Sequence, residues 1–129
     1  MQFLLLVYID QTLLGQLPAG EFERTLQACF DHVEGLRKQG TLIGAQRLED
    51  PSTARTIRTR DGRRAVLDGP FAETKEILAG FNLIEAADLQ EAVRIAEGFA
   101  WSRFGSIEVR PVVDPAVDRQ QVAAALAAS

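Results

Sequence analysis

The sequence predicts one α+β domain, in which strands and helices alternate along 129 residues. Three observations predict it: apolar runs of β-forming residues, two segments with helical spacing of apolar residues, and a hairpin signal between them. The length is that of one ordinary domain of roughly 100–150 residues. Because the composition is 47% hydrophobic and 25% charged, we expect a hydrophobic core of its own and exclude disorder.

Composition also restricts the class of protein. The single cysteine, Cys29, allows no internal disulfide and fits a reducing compartment. No apolar run approaches the ~18 residues of a membrane helix, and the first residues lack the basic start of a signal peptide. Net charge −4 argues against nucleic-acid binding, which needs cationic excess. We therefore expect a cytoplasmic protein that binds neither membrane nor nucleic acid.

The first strand is predicted from Phe3 to Ile9, a continuous apolar run. Its residues are apolar on both faces of the strand, which is typical of a strand covered on both sides. Two helices on one side cannot bury both faces. A second layer is therefore required, and the simplest is a second copy of the chain, so we predict a homodimer packed sheet to sheet.

A long amphipathic helix is predicted from Glu21. Its apolar positions fall at helical spacing: Phe22, Leu26, Cys29, Phe30, Val33 and Leu36. Arg37 and Lys38 complement the helix dipole in the last turn, and Gly40 supplies a left-handed stop. Before this helix, Gly15 to Gly20 is turn-forming.

Next come a second strand, Thr41 to Leu48, and a hairpin whose arms are 54–60 and 63–68. The arms flank Asp61-Gly62, a strong hairpin signal. Ile57 alternates with charged residues, which predicts a half-exposed arm. Six of the 14 basic residues lie between Arg47 and Arg64. They form either a solvated face or a surface for an anionic ligand or acidic partner.

The rest of the chain repeats the strand–helix alternation. After a polar loop, Leu78 to Glu85 is a strand, and Asp88 caps a helix with the apolar stripe Leu89, Ala92, Val93, Ala96 and Phe99 or Ala100. The last strand is Ser106 to Val112, and Asp114 with Pro115 can start a helix in the tail. With the hairpin set aside, the order is βαββαβ, the ferredoxin-like pattern.

A nine-residue run after the hairpin carries a distinctive pattern. It reads Asp68-Gly69-Pro70-Phe71-Ala72-Glu73-Thr74-Lys75-Glu76. Other segments accompany it in order: Gly40-Thr41-Leu42, Pro51-Ser52-Thr53-Ala54, Gly80-Phe81-Asn82-Leu83-Ile84-Glu85 and Gly105-Ser106-Ile107-Glu108-Val109-Arg110-Pro111. This series resembles the DGPF-domain proteins, a branch of the YCII-related family, over residues 1–113.

The resemblance implies a ferredoxin-like domain over 1–113 that dimerises as an α/β barrel, with 114–129 as a C-terminal tail. The family has no established general activity. Its YCII relatives are described as enzymes with a His-Asp pair, but the offset of His32 from Gly40 does not clearly match that histidine, so the pair is not carried over. Many members lie near genes for extracytoplasmic-function sigma factors, which implies a regulatory protein partner as an alternative.

His32 and Asp68 are the candidate catalytic residues. Histidine is the only side chain that titrates near neutrality at its ordinary pKa; the alternative is a boundary histidine without a partner. Asp68 is either a general base at a cleft mouth or a carboxylate that caps the turn at Gly69-Pro70. Cys29 lies in the apolar stripe, where a buried inert thiol is favoured over a nucleophile.

Four further residues are candidate ligand contacts. Tyr8 and Arg47 end neighbouring strands, and together they would offer a phenol and a guanidinium to a carboxylate; the alternative is an interface tyrosine and a rim arginine. Glu73 and Lys75 bring mixed charge to the loop, where they flank a ligand or are solvated. One His and one Cys provide no metal-ligand set, and no cofactor motif is present.

Three hypotheses follow. The first is a small dimeric enzyme or ligand-binding protein that holds a small anionic organic molecule in a cleft between sheet and helices, with acid–base chemistry. The second is a non-catalytic regulatory protein whose arginine-rich hairpin meets an acidic partner. The third is a dimer in which the sheet interface is the whole function and the cleft is closed.

Overall fold

The computed structural model describes residues 1–129. The strands are β1 (Gln2–Asp10), β2 (Leu42–Arg47), β3 (Arg55–Arg60), β4 (Arg63–Asp68), β5 (Glu76–Glu85) and β6 (Gly105–Pro111). The helices are α1 (Gln11–Gly15), α2 (Glu21–Lys38), α3 (Leu89–Glu97) and α4 (Pro115–Ala128). Single 3₁₀ turns lie at Pro51–Thr53 and Ala100–Arg103. The predicted α+β class is confirmed.

Four strands form one antiparallel sheet in the order β2-β5-β1-β6. The two most apolar strands, β1 and β5, are central, and each is hydrogen-bonded on both sides. Strands β3 and β4 form a separate two-stranded ribbon. The ribbon leaves the main sheet after β2, and the chain returns to it at β5.

The hydrophobic core lies between one face of the sheet and helices α2 and α3. Alternate residues of β1 point into it and are buried: Phe3, Leu5, Val7 and Ile9. Ile84 joins them from β5, while the helices contribute Leu36, Ala92 and Ala96. The other face of β1, with Leu4, Leu6 and Tyr8, is only half-buried. One face of the sheet is therefore covered within the chain.

Local sequence signals act as predicted at the ends of the elements. Gly40 follows α2 in the left-handed region, at φ +74°. Asp88 caps α3 because its carboxylate accepts from the backbone N–H of Glu91 at 2.8 Å. Asp61 and Gly62 join β3 to β4 with φ +53° and +73°, the positive angles of a type I′ hairpin turn.

Three exposure predictions are wrong. Phe30 is 56% exposed although it belongs to the predicted stripe of α2. On α3, Leu89 and Val93 are exposed, since the helix faces the core with Ala92 and Ala96. Ile57 is 67% exposed because the ribbon has no layer against the face on which Ile57 lies.

Two further helices, α1 and α4, each begin at an aspartate cap. Asp10 ends β1 and starts α1, where its carboxylate accepts from the N–H of Thr12 at 2.9 Å; the sequence predicts no helix at this position. Asp114 starts α4 in the same way through Ala116 at 2.9 Å, and every residue of α4 is exposed. None of the helices has the length and apolar character needed to cross a membrane.

Candidate functional site

A cleft of about 370 Å³ lies between α2 and the helix-facing side of the sheet. Its walls are mostly apolar. They are formed by Val7 and Ile9 of β1, by Ala45 of β2, by Ile77 and Ala79 of β5, by Trp101, and by Leu14, Phe22, Leu26, Cys29, Phe30 and Val33 from α1 and α2. Concave and mostly apolar surfaces of this size are typical of small-molecule sites.

Trp101 and Cys29 close one wall of the cleft. The indole Nε1 donates to the Sγ of Cys29 at 3.2 Å, so the indole satisfies its only polar group. Burial raises the pKa of the Cys29 thiol, and the hydrogen bond from Trp101 acts in the opposite direction with smaller effect. The thiol is therefore neutral at pH 7, as expected for an unreactive cysteine, although Cys29 is half-buried rather than fully buried.

Arg47 stands at the rim of the cleft. Its guanidinium carbon lies 5.5 Å from the ring centroid of Phe22, in cation–π geometry. It has no carboxylate within ion-pair distance. Gly80 of β5 lies directly opposite, and a Cβ there would come within 2.7 Å of the Gln46 carbonyl oxygen. Only glycine therefore lets β2 pass this close and hold Arg47 at the rim.

Asp50 provides negative charge at the same rim. Its carboxylate accepts from the N–H of Ser52 at 3.0 Å and from Nε2 of Gln11 at 2.9 Å. These hydrogen bonds, that from Ser52 above all, hold the pKa of Asp50 below its usual value. Asp50 is consequently ionised at neutral pH, with its oxygens occupied by groups of its own chain.

A second, wider cavity of about 850 Å³ lies beyond Asp50. It is lined by Tyr8 and Leu78 and by the loop 69–74, which carries the distinctive run. The loop is fastened to the ribbon, because Thr56 donates to the Gly69 carbonyl at 2.8 Å and Arg58 to that of Phe71 at 3.1 Å. Phe71 itself is exposed, so it does not cover the core of its own chain.

Tyr8 and Arg47 do not meet. Along β1, Val7 and Ile9 face the cleft, so Tyr8 between them faces the other side of the sheet. Arg47 faces the cleft side, where it contacts Phe22. The phenol and the guanidinium thus belong to different cavities.

His32 lies at the junction of α2 and α3, outside both cavities. Its Nε2 is 3.3 Å from the carbonyl oxygen of Ile95, and its ring meets that of Phe99 edge-on at 4.5 Å between centroids. These two contacts, a backbone carbonyl and an apolar ring, give His32 a packing role. The ring fills the space between two helices.

Asp68 also lies outside both cavities, at the base of the ribbon. Its side chain is 91% exposed, and an oxygen lies 3.2 Å from Nε of Arg55. Lys75 lies 3.7 Å from the buried Asp10, while Glu73 lines the second cavity. Of the six candidate residues, only Arg47 lines the cleft.

Asn82 is a cleft residue that the sequence prediction of site residues omits. It is a polar residue on the helix-facing side of the central strand β5 and is only 6% exposed. The signal was present in the sequence, because an asparagine interrupts an otherwise apolar strand between Phe81 and Leu83.

A four-stranded antiparallel sheet with a ligand-sized cleft under one helix defines a small α+β protein with a single-chain pocket. The chain belongs to the YCII-related domain family, whose model matches residues 1–115. An uncharacterized protein of Rhizobium meliloti (strain 1021) is 36% identical over 114 residues, which cover 87% of this chain and 92% of the relative.

A solved structure is more distantly similar. It is the 5-chloro-2-hydroxyhydroquinone dehydrochlorinase of Burkholderia phenoliruptrix AC1100 in complex with 2,5-dihydroxybenzoquinone. The two chains are 14% identical, with a TM-score of 0.45 over 88% of this chain and 94% of the other. This similarity is too distant to transfer a reaction.

Proposed function

We propose that this YCII-related protein binds a small organic carboxylate in the cleft between the sheet and α2. The observation that carries the proposal is an apolar cleft of about 370 Å³ with the unpaired guanidinium of Arg47 at its rim. That volume falls in the range of about 300–1,000 Å³ of small-molecule pockets. Planar guanidinium groups bind carboxylates through two parallel hydrogen bonds.

Two arginines line the cleft, and Arg47 is the one without an ion pair, which supports it as the anchor. Of the two acidic residues there, Asp50 is hydrogen-bonded and Glu49 has no partner. Arg37 lies 3.9 Å from Glu34, and the oxygens of Asp50 accept from Ser52 and Gln11. Arg47 has only the ring of Phe22 beneath it. A ligand carboxylate would therefore gain an ion pair at Arg47 without breaking one. His32 and Asp68 lie away from the cleft, and the proposal gives them no contact with the ligand.

The working unit in this proposal is a homodimer of ferredoxin-like subunits, closed face to face as an α/β barrel. The sheet order β2-β5-β1-β6 and its antiparallel pairing support the ferredoxin-like arrangement. The uncovered face supports the dimer, because it carries apolar residues of both central strands: Leu4, Leu6, Tyr8, Phe81 and Leu83. A second copy would remove them from water.

Trp101 provides the test, because it is the only tryptophan of the chain and lines the cleft. A panel of small carboxylates is titrated while Trp101 fluorescence is recorded, and each hit is checked for protection of Cys29 against alkylation. We expect Arg47→Gln to weaken binding about tenfold. Arg63→Gln, which removes an arginine of the ribbon, is the matched control and keeps wild-type affinity.

The proposal fails if no carboxylate changes Trp101 fluorescence or protects Cys29. It also fails if Arg63→Gln weakens binding as much as Arg47→Gln, since the effect would then reflect overall charge rather than the cleft.

The ribbon favours a second candidate function, the docking of an acidic regulatory protein, for which a sigma factor is one hypothesis. Five arginines lie on β3 and β4, and Arg63 and Arg64 have no ion pair. Exposed cations of one sign attract an acidic surface. Replacing Arg63 and Arg64 by glutamine should abolish capture of an acidic partner while leaving carboxylate binding intact, and unchanged capture would contradict this candidate.

A further inference from the structure

Asn82 lies on the floor of the cleft, where packing alone calls for an apolar side chain. It is directly opposite Leu5 on β1 and Ala45 on β2, and it is only 6% exposed. Asparagine is depleted in strands. Its presence here is therefore not explained by the stability of the sheet.

The side-chain amide of Asn82 has no hydrogen-bond partner in the chain. Yet no polar side-chain atom of the protein is both sealed from solvent and unpaired. The amide must therefore be reached from the cleft that Asn82 lines. A buried amide without a partner costs free energy, and a ligand group that pairs with it would remove that cost.

The register of β2 and β5 fixes Asn82 relative to Arg47. Arg47 is opposite Gly80, and Asn82 is opposite Ala45, so the two residues are diagonal neighbours on the cleft side of the sheet. The backbone positions of such diagonal neighbours are about 7–8 Å apart. The rings of Phe22 and Trp101, whose centroids are 6.2 Å apart, line the same cleft, and Arg47 lies over the ring of Phe22.

These positions call for a short, flat ligand with a polar group at each end. We propose that the cleft selects aromatic carboxylates that bear a ring hydroxyl, with the carboxylate on Arg47 and the hydroxyl on the amide of Asn82. The amide can accept from the hydroxyl through Oδ1 and donate to it through Nδ2, and aromatic walls favour a ring between the two ends. This inference rests on the proposed function and adds the hydroxyl selection by Asn82.

The experiment compares benzoate with 2-, 3- and 4-hydroxybenzoate by titration of Trp101 fluorescence. We expect wild-type protein to bind at least one hydroxybenzoate about tenfold more tightly than benzoate, because its hydroxyl pairs the amide. Asn82→Leu, which has a similar size, should bind benzoate and that hydroxybenzoate equally, and Asn82→Ala should do the same. Ser106→Ala, on the other face of the sheet, should keep the wild-type preference.

The outcomes separate this inference from the proposed function. If Asn82→Leu and Asn82→Ala keep the preference, or if wild-type protein prefers no hydroxybenzoate, the inference is wrong, while Arg47-dependent binding of any carboxylate still supports the proposed function. If no carboxylate binds in the cleft, both are wrong. Loss of the preference in both Asn82 variants, with benzoate binding retained, supports the inference.

Discussion

The imidazole of His32 packs directly on Gly98, the residue that ends α3. A Cβ at Gly98 would lie 2.5 Å from Cε1 and 2.6 Å from Nε2 of His32. The backbone of Gly98 is in the ordinary right-handed helical region, at φ −73°, so the missing side chain makes room and no unusual backbone angle is involved. His32 and Gly98 together set how closely α2 approaches the end of α3.

Gly98→Ala should therefore destabilise the protein, by at most about 1–3 kcal/mol, because the imidazole of His32 must move away from the new methyl group. The free energy of unfolding is measured by chemical denaturation. His32→Ala in the same chain should restore much of the loss, because it vacates the space that the methyl group needs.

Gly35→Ala is the matched control within α2, where a Cβ meets nothing within 4 Å. It should stabilise the helix by roughly 0.5–1 kcal/mol. Equal effects of the two alanine substitutions would contradict the packing of His32 on Gly98.

Asp68 stands in the distinctive run and Asp10 does not, yet we expect Asp10 to contribute more to the free energy of unfolding. Asp68→Asn removes one exposed ion pair with Arg55, so it should change the free energy of unfolding by at most about 1 kcal/mol and leave carboxylate binding unchanged. Asp10→Ala removes the buried cap of α1 and should cost about 0.5–2 kcal/mol. If Asp68→Asn lost carboxylate binding, this prediction would be wrong and Asp68 would belong to the binding site.

Cys29 should react slowly with iodoacetamide at neutral pH. Burial raises its pKa, so the thiolate of the folded protein forms at a higher pH than that of the unfolded chain. Its contribution to stability is fully present below the unfolded pKa and is lost as pH rises through the folded pKa. The rate of alkylation is measured against pH in native and denatured protein, and a native midpoint at or below the denatured one would contradict this environment.

Gly80→Ala should disturb the cleft from beneath. The new Cβ would meet the Gln46 carbonyl oxygen at 2.7 Å and Cα of Arg47 at 3.3 Å, so the end of β2 must move. We expect a loss of about 1–3 kcal/mol in stability and weaker carboxylate binding. Gly44→Ala is the control on the same strand pair, since a Cβ there meets nothing within 4 Å. Carboxylate binding that is equal in the two variants would show that Arg47 does not depend on this close approach.

The sequence predicts elements well where the cause is local. The apolar run of β1, the left-handed Gly40 and the Asp61-Gly62 turn each act within a few residues, and the structure confirms them. The buried face of α3 depends on its distance from the sheet, which no local pattern encodes. Two small alanines, Ala92 and Ala96, allow the close approach, and the larger Leu89 and Val93 are left outside.

The candidate site was less predictable because it depends on which face of the sheet a residue takes. Tyr8 and Arg47 both stand at strand ends, yet the pleat directs Tyr8 away from the cleft. The ordinary titration range of histidine makes His32 a catalytic candidate in the sequence, but its position opposite Gly98 follows from helix packing. Asn82 was visible as a polar residue in an apolar strand, and only the register with β2 connects it to Arg47.

The uncovered face of the sheet leads to the last prediction, on the dimer. Leu6 lies in the middle of that face, paired with Phe81 on β5 and Glu108 on β6. If a second copy covers it, Leu6→Lys would bury an ammonium in the interface, which is strongly unfavourable because the carboxylate opposite, that of Glu108, already accepts from Arg110. Wild-type protein should sediment at twice 14.2 kDa and Leu6→Lys at 14.2 kDa, with an unchanged circular dichroism spectrum.

Leu89→Lys makes the same chemical change at an exposed leucine on α3, away from the sheet face. It should remain a dimer, which separates the effect of position from that of added charge. A wild-type monomer in dilute solution would overturn the dimer, and so would a Leu6→Lys variant that sediments as the wild type does. In either case the apolar residues Leu4, Leu6 and Leu83 would have to be tolerated in water or covered by another partner.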